Sequence, residues 1–185
     1  MGDLIAELTP EGILAFLKPE ELEVLKFYGV FGEYGVGEIV VEEGAMQNRL
    51  YYVLSGKLNV LVNRAGEEFK LGEVQSGDCL GEVSIFEPGV ASATVRVSET
   101  AVLWHLDIEA LQSFFAELPG AGGQLLVGIA QLLCKRLRHA NDAIAQNHSS
   151  PNFLGIRAGA LKQAIRFDNL QPSRSKKGGG LFKKK

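Results

Sequence analysis

Apolar positions change their spacing twice along this chain, and the changes divide it into three stretches. In the first, Thr9-Pro10-Glu11 reads as a helix start, with Thr9 as N-cap and proline at the first helical position. Lys18-Pro19-Glu20-Glu21 opens a second helix, in which Leu22 and Leu25 lie three apart with Phe27 and Tyr28 near its end, and these helices are assigned to covering the barrel's flank. From 31 to 106 the pattern turns to short apolar runs at 38–41, 50–54, 57–62, 69–74, 94–97 and 102–106. Glycine-bearing turns separate them at Gly35-Val36-Gly37, Ser55-Gly56, Arg64-Ala65-Gly66 and Ser76-Gly77-Asp78. Many short strands at this spacing predict a sandwich or barrel. Neighbours on a strand point to opposite faces, so Tyr51 and Tyr52 are assigned to packing on different sides rather than to a joint platform.

The third stretch is helical. Asp107 is the expected N-cap of a helix over 108–118, after which Pro119 and the glycines 120, 122 and 123 are expected to break the chain. A long helix then runs to about Asn147. Leu126, Ala130, Leu133, Leu137, Ala140 and Ile144 step by four and three alternately. That is a heptad seam suited to a partner helix or to the barrel's flank; dimerisation is the favoured assignment.

Charge adds one division that the apolar pattern misses. The net charge is only −3, but from 151 onward nine basic residues face a single acid, Asp168. An acidic body therefore carries a basic tail, 149–185, rich in Gly, Ser, Lys and Pro. The tail predicts disorder apart from a short helical stretch over 158–166. It reads either as a solubilising appendage or as a docking peptide for a protein or anionic partner, with Leu181 and Phe182 as anchors among lysines. No apolar run reaches membrane-spanning length, and no basic start precedes an apolar block, so the expected compartment is the cytoplasm. Cys79 and Cys134 form no ligand-like cluster, and His105, His139 and His148 are scattered. No nucleophile–base, zinc-spaced or paired-carboxylate arrangement is visible, so no enzyme is expected.

The chemistry concentrates between Gly77 and Val95. A strand ends at Gly77-Asp78, Gly81-Glu82 opens a short helical turn, and a second glycine turn at Gly89 leads into a new strand. Such a turn offers backbone N–H groups to an anion. Glu82 would repel a phosphate but can accept from sugar hydroxyls. Together with Gly37-Glu38-Ile39-Val40, Glu43-Gly44 and Leu50-Tyr51-Tyr52-Val53-Leu54-Ser55-Gly56-Lys57-Leu58, this stretch resembles the cyclic nucleotide-binding domain, over roughly the first four-fifths of the chain.

The resemblance implies a mainly β fold: a double-stranded β-helix (jelly-roll) barrel over 31–106, N-terminal helices over 1–30, and hinge and dimerisation helices over 107–148. It implies cAMP or cGMP as candidate ligand. The amides of Gly81, Glu82, Val83 and Ser84 would hold the phosphate, Glu82 the ribose, Ser92 a phosphate oxygen, and Thr94 and Asn141 the purine. The family's phosphate-pairing arginine falls on Ala91 here, with Arg96 and Arg49 as conceivable substitutes. The thirty-five residues from Pro151 onward are expected to hold no folded DNA-reading domain. Two readings follow. One is a non-enzymatic regulatory module that senses a cyclic nucleotide or related small anion through its C-terminal helix. The other is a degenerate, ligand-independent dimeric scaffold acting through its tail.

Overall fold

The computed structural model describes residues 6–149; the expected helix over 158–166 and the basic tail lie outside the described residues. The described chain is mainly β with flanking helices, the jelly-roll barrel that the resemblance implies. One antiparallel sheet runs in the order β1 (Val30–Tyr34), β8 (Thr94–Asp107), β4 (Arg49–Arg64), β5 (Glu67–Gln75). Two short strands extend it: β2 (Ile39–Val41) pairs with β8, and β6 (Cys79–Leu80) pairs with β4. A second, two-stranded sheet joins β3 (Met46–Gln47) to β7 (Gly89–Val90).

The two longest strands differ from expectation. β4 merges the runs 50–54 and 57–62, and β8 merges 94–97 with 102–106. Ser55-Gly56 is therefore not a turn but a bend inside β4, where the pairing with β8 slips between Val53 and Leu58. Gly56 lies so close to the backbone of Thr100 and Ala101 that no side chain fits there. Bulges of this kind curve a strand enough to serve both halves of a barrel.

Alternation along β4 and β8 feeds two cores. Tyr51, Val53, Leu58, Val74, Val97 and Leu103 fill the barrel. Tyr52, Trp104 and Leu106 face outward, against Leu14, Phe114, Leu125 and Ile129 of the flanking helices. Adjacent tyrosines thus serve opposite faces, and both are buried. The buried polar ends are satisfied: the Tyr52 hydroxyl donates to the Glu11 carbonyl at 3.2 Å and Trp104 Nε1 to the Lys26 carbonyl at 3.3 Å.

The N-terminal helices are shorter than the pattern predicts. Thr9 caps nothing; a single 3-10 turn spans Gly12–Leu14 with Glu11 before it. α1 (Pro19–Leu25) does begin with its proline, and Glu21 reaches back to the Lys18 amide at 2.8 Å. On the other side, Asp107 caps α3 (Ile108–Glu117) by accepting from the Ala110 amide at 2.8 Å.

α4 (Pro119–Ser149) corrects the predicted break. Pro119 starts this helix, where its missing N–H costs nothing. The glycines lie inside it, although each costs about 1 kcal/mol relative to alanine. Packing gives the reason at Gly122: a β-carbon there would press into the ring and backbone of Phe115 on α3. Gly128 approaches Ile13 in the same way. The chain divides into two compact units after Arg138. In the first, Ala121, Leu125 and Ile129 form the buried stripe of α4, and Leu132 and Leu133 pack partly against the same core. Of the second, residues 139–149 continue the helical turns, with Ala140, Asn141 and Ile144 exposed. No helix among the described residues is long and apolar enough to cross a membrane.

Candidate functional site

β6 lies beside β4, with Tyr51 opposite Leu80 and Tyr52 opposite Cys79. Directly after it Gly81 takes φ +82°, a conformation that strains any residue with a β-carbon. It also sits on the Arg49 carbonyl, which an added methyl would strike. This tight corner sends the chain into α2 (Val83–Phe86), with Glu82 as its N-terminal flanking residue. The Ser84 amide donates back to the Gly81 carbonyl at 3.2 Å and the Ile85 amide to the Glu82 carbonyl at 3.3 Å. The amides of Glu82 and Val83 have no acceptor inside the turn. Ser84 is buried, and Val83 is exposed.

Beyond α2, the Ala91 amide donates to the Ala45 carbonyl and the Gly44 amide to the Ala91 carbonyl, both at 2.8 Å. The peptide at Ala91 is therefore held on both sides, and its side chain brings no charge. Ser92 is exposed. The Thr94 hydroxyl accepts from the Glu43 amide at 3.1 Å, so this candidate purine contact already secures the neighbouring turn.

Glu82 is the most deeply buried charged group in the described chain, only 4% exposed. A lone carboxylate at that depth would cost several kcal/mol. Arg136 of α4 supplies the partner. Its Nη1 donates to Glu82 Oε1 at 2.5 Å, and its Nη2 donates to the Cys79 carbonyl at 2.5 Å. One guanidinium thus ties the carboxylate and the end of β6 to the long helix. Both bonds are charge-assisted, the stronger kind. The Arg136 side chain is itself 36% exposed, which lets solvent screen part of the attraction. Beside it the Cys79 thiol is pushed well above its usual range, chiefly by burial and then by the Glu82 charge. It is a packed, unreactive thiol.

The side chains of Arg96 and Arg49, the conceivable substitutes at Ala91, make no hydrogen bond to the phosphate-binding cassette, the stretch 77–95. Arg96 makes two parallel bonds to Glu68, each 2.9 Å. Arg49 pairs in register with Asp107, and its charge adds to burial in lowering the pKa of His105. Only the Arg49 carbonyl lies at the cassette, where Gln47 Nε2 donates to it at 3.1 Å.

Arg136 is the residue that sequence reasoning missed. The signal was there, but on the other face of the helix. The buried stripe of α4 runs 121, 125 and 129, the half-buried Leu132 continues it, and four residues further on it meets an arginine. A charge that continues an apolar stripe marks a buried partner. The heptad seam drew attention to the adjacent face instead. Of its members in the first unit, Leu126 and Leu133 are half-buried, while Ala130 and Leu137 are exposed. A separate cleft of about 640 Å³ runs along α4 past Gly12, Asp78, Gln131 and Lys135; neither Glu82 nor Ala91 lines it.

Comparison with known proteins places this geometry. Residues 31–117 match the family model of the cyclic nucleotide-binding domain. The chain is similar to the CRP-like cAMP-activated global transcriptional regulator of Mycobacterium tuberculosis, with 34% identity over 142 residues. That match takes in 75% of this chain and 60% of the regulator, so the chain spans about three-fifths of the length of that curated relative. Among solved structures it is similar to the N-terminal domain of a transcriptional regulator from Streptomyces coelicolor A3(2), at 29% identity and TM-score 0.60. That match covers 74% of this chain and 92% of the other. Thermus thermophilus catabolite activator protein matches at 27% identity and TM-score 0.64, covering 75% and 62%.

Proposed function

We propose that this chain, whose residues 31–117 match the family model of the cyclic nucleotide-binding domain, is a non-enzymatic regulatory module that binds a cyclic nucleotide and signals through α4. The observation that carries the reading is the bond from Arg136 to Glu82. Glu82 is the group suited to a ribose hydroxyl, and its partner rides on the helix that would transmit the signal. Of its two carboxylate oxygens, Oε1 holds Arg136, which leaves Oε2 to accept from a sugar. Any ligand that draws on this carboxylate changes what holds α4 against the barrel. A ligand shifts α4 only as far as it binds one position of the helix better than another.

The proposal extends to a cytoplasmic homodimer formed along the α4 seam, with a sensing domain over 1–148 and a basic tail over 149–185. Calorimetric titration with cyclic AMP and cyclic GMP tests the central claim. A Kd below about 10 μM, or a free energy beyond about −7 kcal/mol, is expected for one of them. Silence from both at millimolar ligand would sink it.

Ala91 favours a second reading. With no charge on that side chain, the domain is a ligand-independent dimeric scaffold that works through its tail. A silent parent whose Ala91→Arg variant binds would decide for the scaffold, since the pocket would then lack only its clamp. Under that reading, deleting residues 176–185 abolishes partner binding.

A further inference from the structure

The cleft along α4 has no part in the cassette, and its lining is divided in character. Two close glycine contacts build it. A β-carbon on Gly12, at φ +55°, would strike the Gly77 carbonyl, and one on Gly128 would strike the Ile13 carbonyl. The 3-10 turn Gly12–Leu14 is thereby wedged between the Gly77-Asp78 turn and α4, so the walls are set before any ligand arrives. A volume of about 640 Å³ lies in the range of small-molecule sites. Ile13, Val127 and Leu132 give the cleft an apolar side. Gln131, Lys135 and Arg138 stand at i, i+4 and i+7 of α4 and form an exposed polar row beside it.

Charge sets that row apart from the rest of the surface. Residues 6–149 carry twenty acids against ten lysines and arginines. Six of those ten cations are ion-paired, Arg136 among them. Lys135 and Arg138 make no hydrogen bond or ion pair with any described residue, and they alone of the unpaired cations stand one turn apart on a helix. The one acid on the wall, Asp78, has its Oδ2 on the Gln75 amide at 3.0 Å. We infer that this cleft binds an elongated organic anion of the fatty-acyl carboxylate class, its charged end on Lys135 and Arg138 and its apolar body along Val127, Ile13 and Leu132. Val127 and Arg138 lie about 16 Å apart along the helix axis. A compact ion would use the cations and leave the apolar wall empty.

Binding in the cleft does not depend on a cyclic nucleotide, but the two sites share a joint. Asp78 directly precedes Cys79, whose carbonyl accepts from Arg136. A ligand that touches both the Gly77-Asp78 turn and α4 favours the helix position seen here over any other. Ala130 aside, none of the seam residues lines the cleft, so a dimer along the seam does not consume it.

The test titrates the full chain with 1-anilinonaphthalene-8-sulfonate, an apolar body with one anionic end, and with N-phenylnaphthylamine, the same body without the sulfonate. Fluorescence is expected to show a saturable site for the sulfonate. Lys135→Gln combined with Arg138→Gln should weaken it about 3- to 30-fold, the scale of two exposed ion pairs, and move the uncharged dye less than about twofold. Raising salt from about 0.05 to about 0.5 M should weaken sulfonate binding in the parent more than in the double variant. Val127→Glu, on the apolar wall, should weaken both dyes. Decanoate should displace the sulfonate, and inorganic phosphate should not. The basic tail is common to every variant, so its own attraction for anions cancels in the comparison. Equal losses for both dyes in the double variant, undiminished sulfonate binding, or a parent that binds neither dye would each overturn the inference. Displacement by a poly-glutamate peptide but not by decanoate would also overturn it, in favour of an acidic chain.

Discussion

Replacing Gly81 with alanine separates two costs that one residue combines. Gly81 and Gly44 have nearly the same backbone, φ +82° and +83°. A β-carbon at Gly44 meets nothing within 4 Å, whereas at Gly81 it drives into the Arg49 carbonyl and comes within 3.0 Å of Gln47 Nε2. Gly44→Ala therefore carries only the left-handed backbone penalty, about 1–2 kcal/mol. Gly81→Ala adds an overpacking term of about 1–3 kcal/mol, because the obstacle is backbone within a paired strand and cannot rotate away. The expected losses are about 1–2 and about 2–5 kcal/mol. Against a total of roughly 5–15 kcal/mol for a domain, the second is a large fraction. Urea unfolding followed by circular dichroism reads both. With a slope of about 2 kcal/mol/M, the midpoint should fall by about 0.5–1 M for Gly44→Ala and about 1–2.5 M for Gly81→Ala, the slope itself unchanged. Midpoints that agree within about 0.2 M would refute the reasoning, since the contact with Arg49 would then cost nothing.

Two further outcomes follow from single residues. Burial and the Arg49 charge lower the pKa of His105, so the unfolded chain binds its proton first as pH falls. Its contribution to stability is complete above about pH 6.5 and is lost as pH drops through the folded value; urea midpoints should rise from pH 5 to 7, and His105→Gln should flatten that rise. A slope unchanged in the variant would rule His105 out as its source. Leu137 is 63% exposed on the seam of α4. Leu137→Glu should leave the circular dichroism of the domain intact and convert a dimer to a monomer in sedimentation velocity; a dimer that survives the charge would exclude the seam as its interface.

Much of this protein is legible in its sequence because local rules carry it. The strand alternation that sends Tyr51 inward and Tyr52 outward is a period of two, readable without coordinates. The Asp107 cap and the proline start of α1 are likewise local. Gly81-Glu82, in its setting of strand and turn, offers amides to an anion, and the resemblance to the cyclic nucleotide-binding domain is what marks the stretch as a ligand site. The errors arose where a contact between distant segments overrode a local preference. Of the glycines that read as a break, Gly122 lies inside α4 where Phe115 leaves no room for a β-carbon, while Gly120 and Gly123 have open space around them. Ser55-Gly56 reads as a turn, but pairing with β8 on both sides carries β4 through it. Arg136 lies fifty-four residues from Glu82 along the chain, and periodicity on one helix says nothing of what that helix packs against. The sequence determined the barrel, its caps and the residue types available for a ligand. Only the tertiary structure decided that Glu82 is buried against Arg136 of α4, because a buried carboxylate demands a counter-charge and this one comes from a segment far away along the chain.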